Sequence, residues 1–349
     1  MAKPQQKTSL NIVMGAATFG EPGKDGTVSR SFLSARVHDL KDVNAILDVF
    51  QAHGHYEVDT SRIYTGGTSE EYLAKAGWKE RGLLVDTKVF PNVGKAAPVA
   101  MAERVSHSPE DLRKHLEISL KALGTDSVEV FYLHSPDRTT PYEDTLRGVH
   151  ALYEEGKFRR FGLSNFASWE VAEIVAICRA MGYVAPTVYQ GVYNAIHRKV
   201  EPELFPCLRK FGIAFYAFNP LAGGFFTGKY ASPDAPVAPG SRFDPSKGMG
   251  QLYRARYWSE PYFRALAHVE GVARERGLGM AEVALRWLAW HSLLTRGEGD
   301  AVLVGASSVG HVEQNLADLE KGPLPEEVVK ALDKAWLSVS PYATDYFHK

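Results

Sequence analysis

Residues 108–134 read SPEDLRKHLEISLKALGTDSVEVFYLH, and the two halves of this stretch obey different periods. Leu112, Leu116, Leu120 and Leu123 recur at helical spacing. Ser108 stands at the N-cap, Pro109 at the first helical position and Gly124 at the C-terminal stop. SVEVFYLH (127–134) is then a short run of β-branched and aromatic residues, the composition of a buried strand. The same rhythm continues in both directions. Strand-like runs are NIVMG (11–15), HYEVDT (55–60), GLLVDTKV (82–89), SVEVFYLH, FRRFGLS (158–164), PTVYQ (186–190), GIAFYAFNP (212–220) and AVLVGAS (301–307). Between them lie amphipathic stretches such as LKDVNAILDVFQAH (40–53), YEDTLRGVHALYEEG (142–156) and WEVAEIVAICRAMG (169–182). Strands that alternate with helices imply a parallel sheet, because parallel neighbours need crossover helices. Eight such units predict an α/β fold of the closed (β/α)8 TIM-barrel type. The expected organisation is one domain over 11–349 behind a flexible lead, 1–10. An open doubly wound sheet is the alternative, and no G-x-G-x-x-G follows any strand to support it.

Composition narrows the function. The chain has 349 residues, 45% of them hydrophobic, with 40 Lys plus Arg against 41 Asp plus Glu. That content rules out disorder as a description of the whole, and the balance gives no global drive toward nucleic acid or an anionic membrane. Two cysteines, Cys178 and Cys207, make neither a disulfide framework nor a cysteine-rich zinc site. The start, MAKPQQKTSL, lacks the apolar core of a secretory signal, and no apolar run has membrane-spanning length. The expectation is a cytoplasmic protein with neither nucleic-acid nor membrane partners.

Two segments break the rhythm: residues 20–38 and the long stretch 221–260, rich in Gly, Pro and aromatics. A loop as long as 221–260 in a compact domain is usually functional or disordered. GGFFTGKY (223–230) imitates a P-loop, but Tyr230 stands where Ser or Thr must hold Mg²⁺, and ASPDAPVAPG follows in place of a helix. Cys178 falls in an apolar helical stripe, and His53 and His55 flank a glycine; all three read as structural.

Catalytic groups of a parallel barrel sit at the C-terminal strand ends. Asp59, Lys88 and His134 end the second, third and fourth strands, and Tyr64 follows Asp59 closely. Each has an ordinary reading, as a cap, a surface lysine, a loop histidine or a packing ring. On one face together they suit proton-coupled hydride transfer to a carbonyl. A phenol, with a reference pKa of about 10, is a poor proton donor at neutral pH unless a nearby ammonium favours the phenolate. Lys88 offers that ammonium, Asp59 would hold it, and His134 would orient the carbonyl oxygen.

Around these residues the sequence resembles the aldo-keto reductase superfamily. VDTSRIYTGGTSEEYLAKA (58–76), TK (87–88) and YLH (132–134) carry the likeness. GLSNF (162–166), VYQGVYN (188–194), YAFNPLAGGFFTGKY (216–230) and GASSVGHVEQNL (305–316) continue it in order. NPLAGG, TGKY, YRARYW (253–258), AW (335–336) and the terminal Tyr346-Phe347 resemble the aflatoxin-aldehyde reductase branch.

The resemblance implies a TIM barrel that binds NADP(H) without a Rossmann fold and reduces a small-molecule carbonyl substrate. It makes Tyr64 the acid/base, Lys88 and Asp59 its tuning pair, and His134 the carbonyl-orienting group. Ser164, Asn165 and Gln190 match the nicotinamide carboxamide contacts, and Phe218 the stacking ring. Asn219, Pro220, Leu221, Ala222, Gly223, Gly224 and Lys229 match the segment over the pyrophosphate. Ala17, Asp59, Gly305, Ser307, Ser308, His311, Gln314 and Asn315 complete the cofactor set. Gly305 leads into a helix N-terminus, which favours phosphate. His311 stands where many relatives carry arginine, so Arg242 is assigned the 2′-phosphate, assisted by Ser307 and Ser308. Phe19, Tyr64, His134 and Trp258 are expected around the substrate, and with the terminal Tyr346-Phe347 they suggest an aromatic mouth suited to aryl or medium-chain aldehydes. The branch tends to form homodimers. The alternative function is a cofactor-sensing binding module resembling voltage-gated potassium channel β subunits.

Overall fold

The computed structural model describes residues 4–22, 35–93, 103–305 and 307–349. The strands are β1 (Asn11–Gly15), β2 (Glu57–Asp59), β3 (Leu84–Val89), β4 (Val128–Leu133), β5 (Phe158–Ser164), β6 (Pro186–Val192), β7 (Ala214–Phe218) and β8 (Ala301–Gly305). They pair in chain order, all parallel, and β8 closes on β1 with Val13 opposite Leu303. The fold is a (β/α)8 barrel in one domain, and the open-sheet alternative falls.

Each connection crosses outside the barrel. The helices are α1 (Leu40–Ala52), α2 (Thr68–Lys75), α3 (Pro109–Leu123), α4 (Tyr142–Glu154), α5 (Ser168–Met181), α6 (Leu204–Phe211), α7 (Gly248–Tyr257), α8 (Glu260–Glu275), α9 (Met280–Trp290), α10 (Val309–Leu319) and α11 (Glu326–Val339). α3 begins and ends as its sequence dictates. Asp111 N donates to Ser108 Oγ at 3.2 Å, and Gly124 takes the left-handed conformation with φ 66°. Its stripe of Leu112, Leu116, Leu120 and Leu123 is buried against the sheet.

The core has two layers. The larger lies between strands and helices and includes Cys178 on α5. The smaller fills the barrel with Val13, Val130, Tyr132, Val188, Ala214, Tyr216, Ala301 and Leu303. Gly162 makes room for this inner layer, since a Cβ there would lie 2.3 Å from Cδ1 of Tyr132.

Several expectations are corrected. The stretch 221–260 is not wholly irregular: it holds a 3₁₀ turn, Ala222–Thr227, and α7. Helix α7 (GMGQLYRARY) opens on glycines and lacks an aliphatic stripe. Its anchors are the rings of Tyr253 and Tyr257, and the segment packs as an aromatic cluster around Phe225 and Phe243. In the lead before β1, Thr8 and Leu10 are already buried, so packing begins ahead of residue 11. Of the 20–38 insertion, residues 23–34 lie outside the described residues. Its far end returns so that Val37 bridges Phe19. His55 is buried against Phe50, and His53 pairs with Glu320 at 2.6 Å. Among the described residues no helix is long and apolar enough to cross a membrane.

Candidate active site

A cavity of about 1630 Å³ opens at the C-terminal ends of the strands. Alternation along β2 and β3 turns Asp59 and Lys88 inward, where both are buried. Lys88 Nζ donates to Asp59 Oδ1 and, at 2.8 Å, to the carbonyl of Thr60. Gln190, near the end of β6, donates to the same Asp59 oxygen at 2.8 Å.

Tyr64 follows β2 on a tight turn, Tyr64–Gly67, in which Thr65, Gly66 and Gly67 all have positive φ. Thr65 Oγ1 locks this turn to the Phe19 carbonyl at 2.8 Å. The Tyr64 ring lines the cavity with its centre 5.2 Å from Lys88 Nζ. His134, just past β4, meets it edge-on at 5.8 Å. Ser61, which the sequence reading passed over, engages His134 Nδ1 at 3.3 Å and donates to the Lys88 carbonyl at 3.3 Å. The predicted four thus converge at three adjacent strand ends.

Their electrostatics differ from expectation. Burial pushes the Tyr64 phenol well above its ordinary value, the Asp59 charge and Tyr253 add to the rise, and Arg242 pulls it down. The predicted lowering of the phenol is therefore reversed, because enclosure penalises phenolate and Asp59 answers Lys88 directly.

Most predicted cofactor residues line the same cavity. Ala17, Ser164, Asn165, Gln190, Phe218, Asn219, Pro220, Leu221, Gly223, Gly224, Arg242, Gly305, Ser307, His311, Gln314 and Asn315 all face it. Asn165 Nδ2 donates to the His134 carbonyl at 2.9 Å, tying the end of β5 to that of β4. Arg242 Nη1 donates to Tyr253 OH at 3.0 Å, and Tyr253 OH donates to Asn219 Oδ1 at 2.6 Å. Ala222, Lys229 and Ser308 do not line the cavity. Ala222 is fully buried, Lys229 is exposed beside Tyr230, and Ser308 accepts from His311 N as the cap of α10.

Phe19 and Trp258, expected around the substrate, do not line the cavity. Gly20 N donates to the Val37 carbonyl at 3.2 Å, and the insertion's return leaves Phe19 in the core. Trp258 is held by its indole to the Pro233 carbonyl at 2.9 Å and packs on Phe243 inside the long loop. The aromatic rings that line the cavity are Tyr64, Phe90, Phe218, Tyr253 and Phe347.

Sequence reasoning missed Arg36 and Arg256, whereas the terminal Tyr346-Phe347 it set at the mouth belongs to a C-terminal strap whose Phe347 lines the cavity. The strap crosses β4 and β5, with His348 N donating to the Asn165 carbonyl at 2.9 Å and Ser168 N donating to Tyr346 OH at 3.0 Å. The motif YRARYW contained Arg256, but only its place on α7 turns it to the cavity.

The cavity fits a phosphorylated dinucleotide. Arg36, Arg242 and Arg256 line it, and among the described residues no carboxylate forms an ion pair with any of them. Asn219 Nδ2 is buried there without a hydrogen-bond partner. Asn165, Asn219 and Ala222, at or beside the cavity, hold left-handed backbone without being glycine. Such strain persists where surrounding structure enforces a functional geometry.

The sequence pattern of the Aldo/keto reductase family matches residues 11–337. The chain belongs to this family. It is 44% identical over 351 residues to the aldo-keto reductase pigE of Monascus ruber, covering 100% of both chains. It is 44% identical to aldo-keto reductase family 7 member A3 of Homo sapiens, over 93% of this chain and 97% of that one. It is 43% identical to aflatoxin B1 aldehyde reductase member 2 of Mus musculus, over 95% of this chain and 90% of that one. Family membership supports carbonyl reduction in general. These relatives divide between two naming groups, so the expected placement in one branch is met only at the level of the family.

Proposed function

We propose that this chain reduces an aldehyde or ketone to the alcohol using NADPH, with Tyr64 as proton donor. The convergence of Tyr64, Lys88, Asp59 and His134 on one cavity carries the reading. NADPH, when bound, supplies the hydride that reaches the carbonyl carbon. Negative charge then develops on the carbonyl oxygen, and Tyr64 OH delivers the proton that neutralises it. The raised phenol pKa keeps that proton in place before the reaction. Lys88, held by Asp59 and the Thr60 carbonyl, offers positive charge as phenolate forms. His134, steadied by Ser61, orients the carbonyl oxygen.

Ser164, Asn165 and Gln190 would hold the nicotinamide carboxamide, and Phe218 would stack on its ring. Asn219, Pro220, Leu221, Gly223 and Gly224 would cover the pyrophosphate, and Arg242 would take the 2′-phosphate. Ser307, His311, Gln314 and Asn315 would surround the adenosine. The apolar walls of the mouth favour aryl or medium-chain aldehydes. The test follows NADPH absorbance with 4-nitrobenzaldehyde and then with a panel of aldehydes and ketones. Tight NADPH binding with no turnover across the panel refutes the reductase reading.

A further inference from the structure

Behind the Lys88–Asp59 pair lies a second carboxyl pair that the reaction above does not use. Asp86 stands two residues before Lys88 on the same inward face of β3, paired in register with Asp59 of β2. Glu57, two residues before Asp59, shares that interior. The groups around the Asp86–Glu57 pair are Asp59 from β2, Lys88 from β3, Tyr132 from β4, Arg160 from β5, which faces Glu57, and Tyr216 from β7. Glu129 on β4 adds negative charge near Glu57.

The charges do not balance. Three carboxyls, Glu57, Asp59 and Asp86, meet two cations, Lys88 and Arg160. The cations are committed elsewhere: Lys88 to Asp59, and Arg160 to Tyr216 OH at 3.1 Å, which in turn donates to Glu57 Oε2 at 3.4 Å. Both Asp86 oxygens and Glu57 Oε1 are buried and accept from no donor. A carboxylate with no donor inside a closed barrel is costly, and a shared proton removes the cost. Burial, with the charges of Glu57 and Asp59, pushes Asp86 well above the usual carboxylate range.

We propose that Asp86 is a positioning residue that stays uncharged in the working enzyme, donating its carboxyl proton to Glu57 so that Lys88 remains committed to Asp59 and Tyr64. Were Asp86 ionised, a second carboxylate on the same strand face would compete for the Lys88 ammonium. The phenolate formed at Tyr64 would then lose its nearest cation. This role rests on the reductase reading, but its first test does not.

Infrared difference spectra of the full chain against Asp86→Asn should show the carbonyl stretch of a protonated carboxylic acid that disappears in the variant. Absence of that band overturns the proposal, whatever the enzyme's activity. The kinetic test compares Asp86→Asn, an uncharged donor of the same shape, with Asp86→Leu, which leaves Glu57 without a donor. Asp86→Asn should keep kcat within about threefold and preserve the pH profile, while Asp86→Leu should lose about tenfold or more and move the profile. If Asn is as damaging as Leu, the charge is needed and the proposal fails. If Leu matches wild type in rate and profile, Asp86 is only filler and it fails equally. Should Asp86→Leu not fold, the infrared band and the Asn variant still decide. A wild-type chain that reduces no carbonyl refutes the reductase reading and leaves the infrared test intact.

Discussion

Lys88 Nζ lies 5.2 Å from the centre of the Tyr64 ring, yet its hydrogen bonds run to Asp59 and the Thr60 carbonyl. The ammonium therefore acts on the phenol through space and not by a direct bond. Coulomb attraction over such a distance favours whichever state of Tyr64 is negative. In the resting protein Asp59 offsets that attraction, and Tyr64 keeps its proton. The charge of Lys88 matters most as phenolate develops.

Tyr64→Phe keeps the ring and its cavity contacts and removes the donor. Turnover should collapse by several orders of magnitude, while NADPH affinity from fluorescence titration changes little. A variant keeping a tenth of wild-type turnover rules Tyr64 out as the donor. Lys88→Met should be nearly as damaging and should shift the pH dependence of the residual rate.

Arg242→Ala tests cofactor choice. Loss of a charged phosphate contact costs ~2–3 kcal/mol, some 30- to 150-fold in NADPH affinity, and NADH should be hardly affected. Equal weakening of both cofactors means that Arg242 serves only to brace Tyr253 and Asn219. No change in either places selectivity on other residues.

Acid should unfold the protein partly through two buried histidines. Burial lowers His197 to about 3 and His55 to about 4, from 6.5. Below pH 6.5 the unfolded chain takes up protons that the folded chain refuses, so stability falls with pH. Each histidine contributes roughly 1.4 kcal/mol per pH unit until its folded value is reached. His197→Gln should flatten the fall of Tm between about pH 6.5 and 4. A slope unchanged from wild type contradicts the assignment.

Gly162→Ala is expected to destabilise although it adds one methyl group. The new Cβ would sit 2.3–3.0 Å from three ring carbons of the fully buried Tyr132. Overpacking of this kind costs about 1–3 kcal/mol, read as a lower denaturation midpoint. The Tyr132 ring also underlies Lys88, with its centre 5.4 Å from Nζ. Reductase turnover should therefore fall as well, and wild-type turnover at full folding would show that the ring's place is immaterial.

The sequence by itself determined the eight strands, their alternation with helices and the residues at the strand ends. Those features are local: a helix or strand announces itself by its own period, and a barrel aligns every strand end on one face. So Asp59, Lys88 and His134 were readable from position alone, and Tyr64 from its nearness to Asp59. Tertiary structure decided what covers that face and what each group feels there. Phe19 left the mouth because the return of Val37 buried it, and Trp258 because the long loop built its own aromatic core. Arg256 entered because helix α7 folds over the cavity, and the terminal Phe347, expected at the mouth, reaches it because the last residues fold over the same face. The rise of the Tyr64 pKa depends on enclosure by distant segments, a property no local pattern encodes.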